Sequence, residues 1–427
     1  MSESGVFLDV RPLRESAAFR RVFIARTISI FGIGLLMVGV PIQMYALTGS
    51  SFLVGLVAAV EGAASMGGML VGGILADRYD RKKLILFART VSGITFVGLA
   101  VNAMLADPSW VAILVLSLIN GLIGSISIAA LFAVVPTLVP HEQLVGVGAL
   151  NVLSARAGAV VSPALGGVVI AAFSVSWNYW VAAIGTAITI ALLAGLPPLP
   201  APAGRAAEGS DDAAEPLPAE EVSVLAFIAG HRVIGGVMIA GVVAMLGSGL
   251  LVLVPGFVDE RFGNDSRAAG LLYAATAVGA VIATVTSGWL GRLTRPGLVL
   301  LIALAAGFAA QAVVGLAGVL VVAMLLLIVA GAITSVQEVL RYSLIQTHTP
   351  EHMLGRVNGL WAAQEVAGAS VGALVAGAVG GLVAPSAAIV AYSATLCGVA
   401  LVLLVVLGTL RRATATTTLD EDTAVSA

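Results

Sequence analysis

Apolar segments long enough to span a bilayer recur twelve times along this chain. They run at 20–47, 52–76, 84–105, 110–138, 144–173, 178–197, 233–257, 268–290, 297–316, 319–347, 354–383 and 385–409. A helix needs about 20 such residues to cross the hydrocarbon core. Inside that core each backbone polar group must be bonded within the protein. The pattern therefore predicts an all-α integral membrane protein with twelve transmembrane helices. Composition agrees: of 427 residues, 59% are hydrophobic and only 10% charged, against roughly 25% charged in soluble domains. The 50 glycines suit close helix contact in lipid. A single cysteine, Cys397, excludes an internal disulfide framework. The four histidines are scattered and offer no metal-ligand spacing. A net charge of −2 gives no basic field for nucleic acid. Met1 to Ala18 is polar and mixed, so insertion is expected to use the first membrane helix rather than a cleavable leader. No nucleophile, base and oxyanion group stand at recognisable spacing. No enzyme, cofactor or metal site is expected.

Lysine and arginine set the expected orientation. With the N-terminus inside, the cytoplasmic side receives Arg11, Arg14, Arg20, Arg21, the Arg78–Lys83 cluster, Arg205, Arg232, Arg292, Arg295, Arg356, Arg411 and Arg412. The opposite side receives only Arg261 and Arg267. That asymmetry puts both termini in the cytoplasm. Between spans six and seven, Pro197 to Glu221 is rich in Pro, Ala and acid and cannot bury a core. The chain thus divides into a cytoplasmic segment 1–19, a six-helix bundle 20–197, a linker 198–223, a second bundle 224–410 and a polar tail 411–427.

The halves repeat. A shift of 215 lays Gly55 on Gly270, Leu56 on Leu271, Gly73 on Gly288 and Asp77 on Arg292. A shift of 210 lays Pro140 on Pro350, Leu144 on Leu354, Leu150 on Leu360 and Gly158 on Gly368. Two bundles related by an axis along the membrane normal place a substrate path between them.

Val71 to Lys83 reads VGGILADRYDRKK, an apolar helix running into the most charged stretch of the chain. On its own this is a membrane helix meeting the cytoplasm. The spacing Gly73-x-x-x-Asp77-Arg78-x-x-Arg81-Lys82 also resembles the signature loop between helices 2 and 3 of the major facilitator superfamily. The resemblance implies two pseudo-symmetric six-helix bundles, alternating access, and a central cavity lined by spans one, four, seven and ten. It makes Gly73, Asp77, Arg78, Arg81 and Lys82 a conformational latch between the halves. The second glycine usual in that loop is Asp80 here. Either the loop differs locally, or Asp80 adds a second anion to the latch.

Charges inside spans cost roughly 2.5–3.5 kcal/mol each on insertion scales and are functional candidates by default. Five qualify: Glu61, Arg156, Glu338, Arg341 and Glu365. Glu338 and Arg341 are three apart on one helix face and can pair directly, so holding helices together competes with transport as their role. Glu61, Arg156 and Glu365 have no local partner in sequence. Glu61, Glu338 and Glu365 are the proton-coupling candidates. A buried carboxylate is pushed up by desolvation and pulled down by a nearby arginine, which proton exchange requires. Arg156, Arg341, Trp361 and Gln364 are the substrate-binding candidates, offering cations, a stacking surface and a hydrogen-bonding amide.

Gly158-x-x-x-Ser162-Pro163-x-x-Gly166-Gly167 resembles the glycine- and proline-rich helix of drug/proton antiporters in the same superfamily, with Ser162 in place of a glycine. A kinked, closely packed helix explains the same residues. Three further stretches, at 18–48, 176–189 and 344–365, resemble the siderophore-exporting branch, the bacterial enterobactin exporters. That likeness implies proton-driven export of a catecholate siderophore across the bacterial inner membrane by a monomer. A broad-specificity drug/proton antiporter is the alternative within transport. A membrane sensor or assembly factor that does not transport is the alternative of another class. Direction is not set by the residues.

Overall fold

The computed structural model describes residues 11–134, 138–196, 224–263 and 265–414. The linker, most of the C-terminal tail and the first ten residues lie outside the described residues.

Twelve long helices follow in order. They are α1 (Ala17–Thr48), α2 (Ser51–Arg78), α3 (Arg81–Met104), α4 (Trp110–Val134), α5 (Leu144–Ala172) and α6 (Val175–Ala194). Then come α7 (Arg232–Phe262), α8 (Ser266–Val285), α9 (Pro296–Val314), α10 (Leu320–His348), α11 (Glu351–Leu382) and α12 (Pro385–Val406). Among the described residues, eleven of these helices are long and apolar enough to cross a membrane. α5, at 29 residues, completes the set. The chain is a multi-pass membrane protein.

Local chemistry sets the helix ends. Ser16 and Ser50 cap α1 and α2, accepting from the amides of Phe19 and Leu53, which satisfies donors that have no intrahelical partner. Gly49, at φ 60°, ends α1 in the left-handed conformation that glycine adopts without Cβ strain. α1 and α2 are therefore joined by a two-residue turn. Pro296 and Pro385 open α9 and α12 at the first helical position, where a missing N–H costs nothing. α7 is interrupted at its middle by a 3₁₀ turn, Gly247–Gly249.

Packing repeats with the sequence. In the N-terminal half α1 packs on α5 and α6, α2 on α4, α3 on α4 and α6. In the C-terminal half α7 packs on α11 and α12, α8 on α10, α9 on α10 and α12. These are the same pairs advanced by six helices. The two most extensive contacts between the halves, α2 with α11 and α5 with α8, also exchange under the repeat.

Individual contacts obey the shifts read from the sequence. A Cβ placed on Gly270 would lie 2.5 Å from the Gly167 Cα, and one on Gly55 would lie 3.0 Å from the Gly377 Cα. Gly55 maps on Gly270 and Gly167 on Gly377, so both crossings between the halves are glycine on glycine at matched places. Backbones can approach this closely in lipid only where side chains are absent.

Both crossings sit at the end of the bundle that carries Thr48–Ser51. There Val38, Ile42 and Ile170 of the first half join the apolar core of the second. The other end carries residues 77–83 and Arg292, Arg295 and Arg356, and is termed the basic end. Toward it, α2 exposes Met69, Leu70 and Val71 in succession. Successive helical residues point about 100° apart, so more than one face of α2 is uncovered. The halves meet at the far end, and toward the basic end α2 is left uncovered.

Candidate functional site

A cavity of about 360 Å³ lies between the halves. α1 contributes Met37, Pro41 and Met44; α2 contributes Val57 and Glu61; α7, α8 and α11 contribute Leu251, Tyr273 and Ser370. The expectation that spans one, four, seven and ten line the cavity is thus corrected: α2, α8 and α11 replace α4 and α10 in this part of it. The reason lies in the far-end crossings. By drawing α2 to α11 and α5 to α8, they bring those helices inward.

Among the described residues, Glu61 is the single carboxylate in the lining of this cavity. Asn120 of α4 donates a long 3.5 Å hydrogen bond to its Oε1. The backbone explains the placement. A Cβ on Gly121 would lie 2.5 Å from the Glu61 carbonyl oxygen, so α4 comes close enough for its neighbour Asn120 to reach the carboxylate. Gly331 stands in the same relation to the Thr276 carbonyl, 2.0 Å away. Thr276 is the repeat equivalent of Glu61. The second half keeps the crossing and lacks the acid.

The remaining candidates meet on α10 and α11. The Arg341 guanidinium is buried, and its Nη2 lies 3.6 Å from Glu365 Oε1. The guanidinium also stands 5.9 Å above the Trp361 ring, a cation–π distance, and Tyr342 lies against the same ring at 5.7 Å. Gln364 donates to the Met238 carbonyl of α7 at 2.6 Å. A Cβ on Gly241 would meet Gln364 Nε2 at 2.8 Å and Arg341 Nη1 at 2.9 Å, so α7 closes over the cluster only because that position is glycine. Glu365, which has no partner on its own helix, therefore finds one across helices. The expectation of Arg341 as a local partner of Glu338 alone is widened accordingly. Arg341 Nε and Nη1, Trp361 Nε1 and Gln364 Oε1 are buried without hydrogen-bond partners among the described residues. Four unsatisfied polar atoms at one place are unusual in a native interior and fit a surface that meets a ligand. Arg156 lies on α5; its side chain is outside the described residues.

At the basic end, Gly73, Asp77 and Arg78 are exposed. Arg81 Nε donates to the Ala76 carbonyl at 3.3 Å and Lys82 Nζ to the Leu196 carbonyl at 2.5 Å, both within the first half. The latch residues are gathered at the basic end of the first half, where the bonds described for Arg81 and Lys82 run to backbone carbonyls of that half. Asp80 has a local task. Its Oδ1 accepts from the Lys83 amide at 3.0 Å and caps α3. Of the two readings left open for this residue, the structure supports a local change in the loop, since an aspartate N-cap replaces glycine there.

The glycine-rich stretch of α5 splits between two neighbours. Gly158 faces Ile30 of α1, and Gly166 faces Leu35 and Val38. Gly167 faces Gly270 of α8, whose virtual Cβ would also lie 3.1 Å from the Pro163 carbonyl. Ser162 Oγ donates back to the Gly158 carbonyl at 2.5 Å. Two ionisable residues were not singled out from the sequence: Arg26 on α1 and Arg89 on α3, both within spans. Arg89 is only 7% exposed. Both follow closely on basic loops, which masked them as flank charges; counting their distance into the span would have found them.

Comparison with known proteins agrees with this architecture. Residues 22–365 and 237–424 match the model of the Major Facilitator Superfamily. The chain is 40% identical over 417 residues to the enterobactin exporter EntS of Salmonella typhimurium, covering 96% of this chain and 97% of that one. It is 41% identical over 418 residues to its counterpart in Salmonella paratyphi A, with the same coverage. Among solved structures, it is similar to a bacterial homologue of the iron transporter ferroportin in an inward-facing state, with a TM-score of 0.71 and 14% identity over 93% of this chain and 99% of that one. The nucleoside transporter NupG gives a TM-score of 0.70 at 14% identity over 92% and 98%. With its repeated halves, its central cavity and these matches over nearly its full length, the chain belongs to the major facilitator superfamily.

Proposed function

We propose that this protein exports a siderophore, an enterobactin-like catecholate, across the bacterial inner membrane by alternating access coupled to proton entry. The observation that carries the reading is 40% identity to enterobactin exporters over 96% of the chain. The site is consistent with it. A catecholate siderophore is large, aromatic and acidic; the Arg341, Trp361 and Gln364 cluster offers a cation, a ring and an amide together, and Arg156 is a further cation for the path. In this reading the basic end faces the cytoplasm, as the arginine and lysine distribution supports, and the conformation is open to the cytoplasmic substrate. The units that rock are 20–197 and 224–410, tethered by 198–223.

Glu61 is the first choice for the proton, because among the described residues it alone supplies a carboxylate to the central cavity. Glu365 and Glu338 come next, close to Arg341, where proton and substrate anion would compete for one guanidinium. Asp77 and its basic neighbours would latch the cytoplasmic ends together after substrate has entered and the halves have rocked.

Proteoliposomes containing the purified protein and an imposed pH gradient test the reading. Enterobactin should move against its own gradient, and the movement should stop when a protonophore collapses the pH difference. Transport of unrelated cationic drugs with no movement of enterobactin would replace this reading with the drug/proton antiporter. No flux of either would favour a protein that senses or assembles.

A further inference from the structure

A groove of about 370 Å³ runs between α8, α9 and α10. α8 lends it Ile282 and Thr286, α9 lends Ile302 and Ala306, α10 lends Ile333, and Trp289 comes from the turn after α8. Ile282, Trp289 and Ile302 are each about half exposed. All the described lining residues belong to the second half, and α9 packs on α10 and α12 of that same half. The groove therefore opens toward lipid and not toward the space between the halves.

The walls suit a hydrocarbon chain. Thr286 is the one hydroxyl among the described lining residues, and it already donates to the Ile282 carbonyl at 2.8 Å. Along α9 the groove extends from Val299 to Ala306, about 10 Å at 1.5 Å per residue. Trp289 stands at the basic end, where an indole ring can sit at headgroup level.

The mouth of the groove is cationic. Arg292 closes the 3₁₀ turn that carries Trp289, and Arg295 immediately precedes α9. Both are exposed. From 266 to 337 the chain contains no aspartate or glutamate. A short helix, Gly408–Arg412, brings Arg411 and Arg412 to the same end. It is seated on the start of α9, since a Cβ on Gly297 would lie 1.9 Å from the Leu410 carbonyl oxygen.

The repeat shows that this arrangement is particular to one half. A shift of 215 lays Asp77 on Arg292 and Asp80 on Arg295. Both acids of the first loop thus have arginines as their counterparts. The backbone differs at the same place. α2 continues as α-helix through Arg78, whereas α8 ends at Val285 and the chain coils into the 3₁₀ turn Ser287–Arg292.

We propose that the groove is a binding site for one anionic phospholipid, with an acyl chain along α9 and the phosphate at Arg292 and Arg295. An arginine fork matches the oxygens of a phosphate, and basic sites beside membrane helices select anionic headgroups. The site is independent of what the protein transports. It lies within one half, so the lipid travels with that half.

Photolabelling tests it. The purified full-length protein in detergent is titrated with phosphatidylglycerol carrying a diazirine on one acyl chain, and the label is mapped by peptide mass. Residues 282–306 should be labelled more strongly than the matched 67–91. Unlabelled phosphatidylglycerol should compete about thirtyfold better than phosphatidylcholine, at about fivefold for each arginine. Arg292→Gln with Arg295→Gln should abolish that preference. Ala306→Trp, at an exposed position, should displace the chain and lower labelling at 282–306 with both arginines in place. Label found mainly elsewhere in the parent overturns the site, whether or not the variants fold. Equal competition by the two lipids overturns it, as does a preference that survives the double arginine variant. Unchanged labelling in Ala306→Trp places the chain outside the groove and also overturns it. Glycerol phosphate should not compete; if it matches phosphatidylglycerol, the arginines hold a free phosphate and the lipid site is overturned.

Discussion

Gly167→Ala adds one methyl group at the crossing of α5 and α8. Its Cβ would lie 2.5 Å from the Gly270 Cα and 3.0 Å from both the Gly270 nitrogen and the Ser266 carbonyl oxygen. Carbon atoms rest at about 3.5–4.0 Å, so the helices must separate by about 1 Å at this point. All three neighbours are backbone atoms and cannot rotate aside. Overpacking of this kind costs about 1–3 kcal/mol. The crossing joins the two halves, so the cost falls on the conformation in which the far end is shut and is relieved when that end opens. A difference of 1–3 kcal/mol between states changes their ratio by about 5- to 150-fold. Spin labels at the exposed positions Arg78 and Arg292, in a Cys397→Ser background, report the separation of the halves at the basic end. Double electron–electron resonance should show a new, shorter population in Gly167→Ala. Gly158→Ala is the control. Its Cβ would lie 2.3 Å from Ile30 Cγ2, an equally tight contact, but within one half and against the movable end of a side chain. Identical distance distributions in Gly167→Ala and the parent, or an equal shift in Gly158→Ala, would refute the reasoning.

Three further outcomes are expected. Asp77→Asn should slow transport a few-fold at normal membrane levels, since an exposed ion pair contributes up to about 1 kcal/mol; a parental rate would remove the latch role. Glu61→Gln should uncouple efflux from an imposed pH gradient while enterobactin binding persists, and preserved coupling would move the proton role to Glu365 or Glu338. Glu365→Gln should destabilise the purified protein by about 2–3 kcal/mol, below the 3–5 kcal/mol of a fully buried pair because the Glu365 side chain is 37% exposed. Adding Arg341→Met should restore thermal stability but not transport, and recovery of both would make the pair structural only.

Most of the architecture was legible in the sequence because it is written in composition. Twelve apolar stretches become twelve helices, and the basic residues flank them on one end. The repeat was legible too, and for a physical cause: Gly55 and Gly270 are kept where backbones must touch. Other features depended on distance between helices, which no local pattern encodes. Glu365 showed no partner in sequence, and Arg341 of α10 supplies one. Asp80 could be placed in the loop but not given its capping role until the α3 start was seen. The order of helices around the cavity failed at α2 and α11, because it is set by which end of the bundle is closed. The sequence is the same in every state of the cycle and cannot specify that.

The 3₁₀ turn at Gly247–Gly249 makes the two halves mechanically unequal. Its repeat equivalent, Gly32–Gly34, runs through α1 as unbroken helix. In α7 the Leu246 carbonyl accepts instead from Tyr392 Oη at 2.6 Å, and the Met245 carbonyl from Ser248 Oγ at 2.7 Å. Side chains thus replace the bonds a continuous helix would make, and α7 acquires a joint just where it passes from the Arg341 cluster to the central cavity. The outer segment, Leu250–Phe262, can swing while the inner segment stays seated on Gln364. One arm of the transporter is a rigid lever and the other is articulated, so the far gate can begin to yield without releasing its grip at Arg341. Amide hydrogen exchange should register this as faster exchange at 248–252 than at 33–37, and equal rates would mean that both arms are stiff.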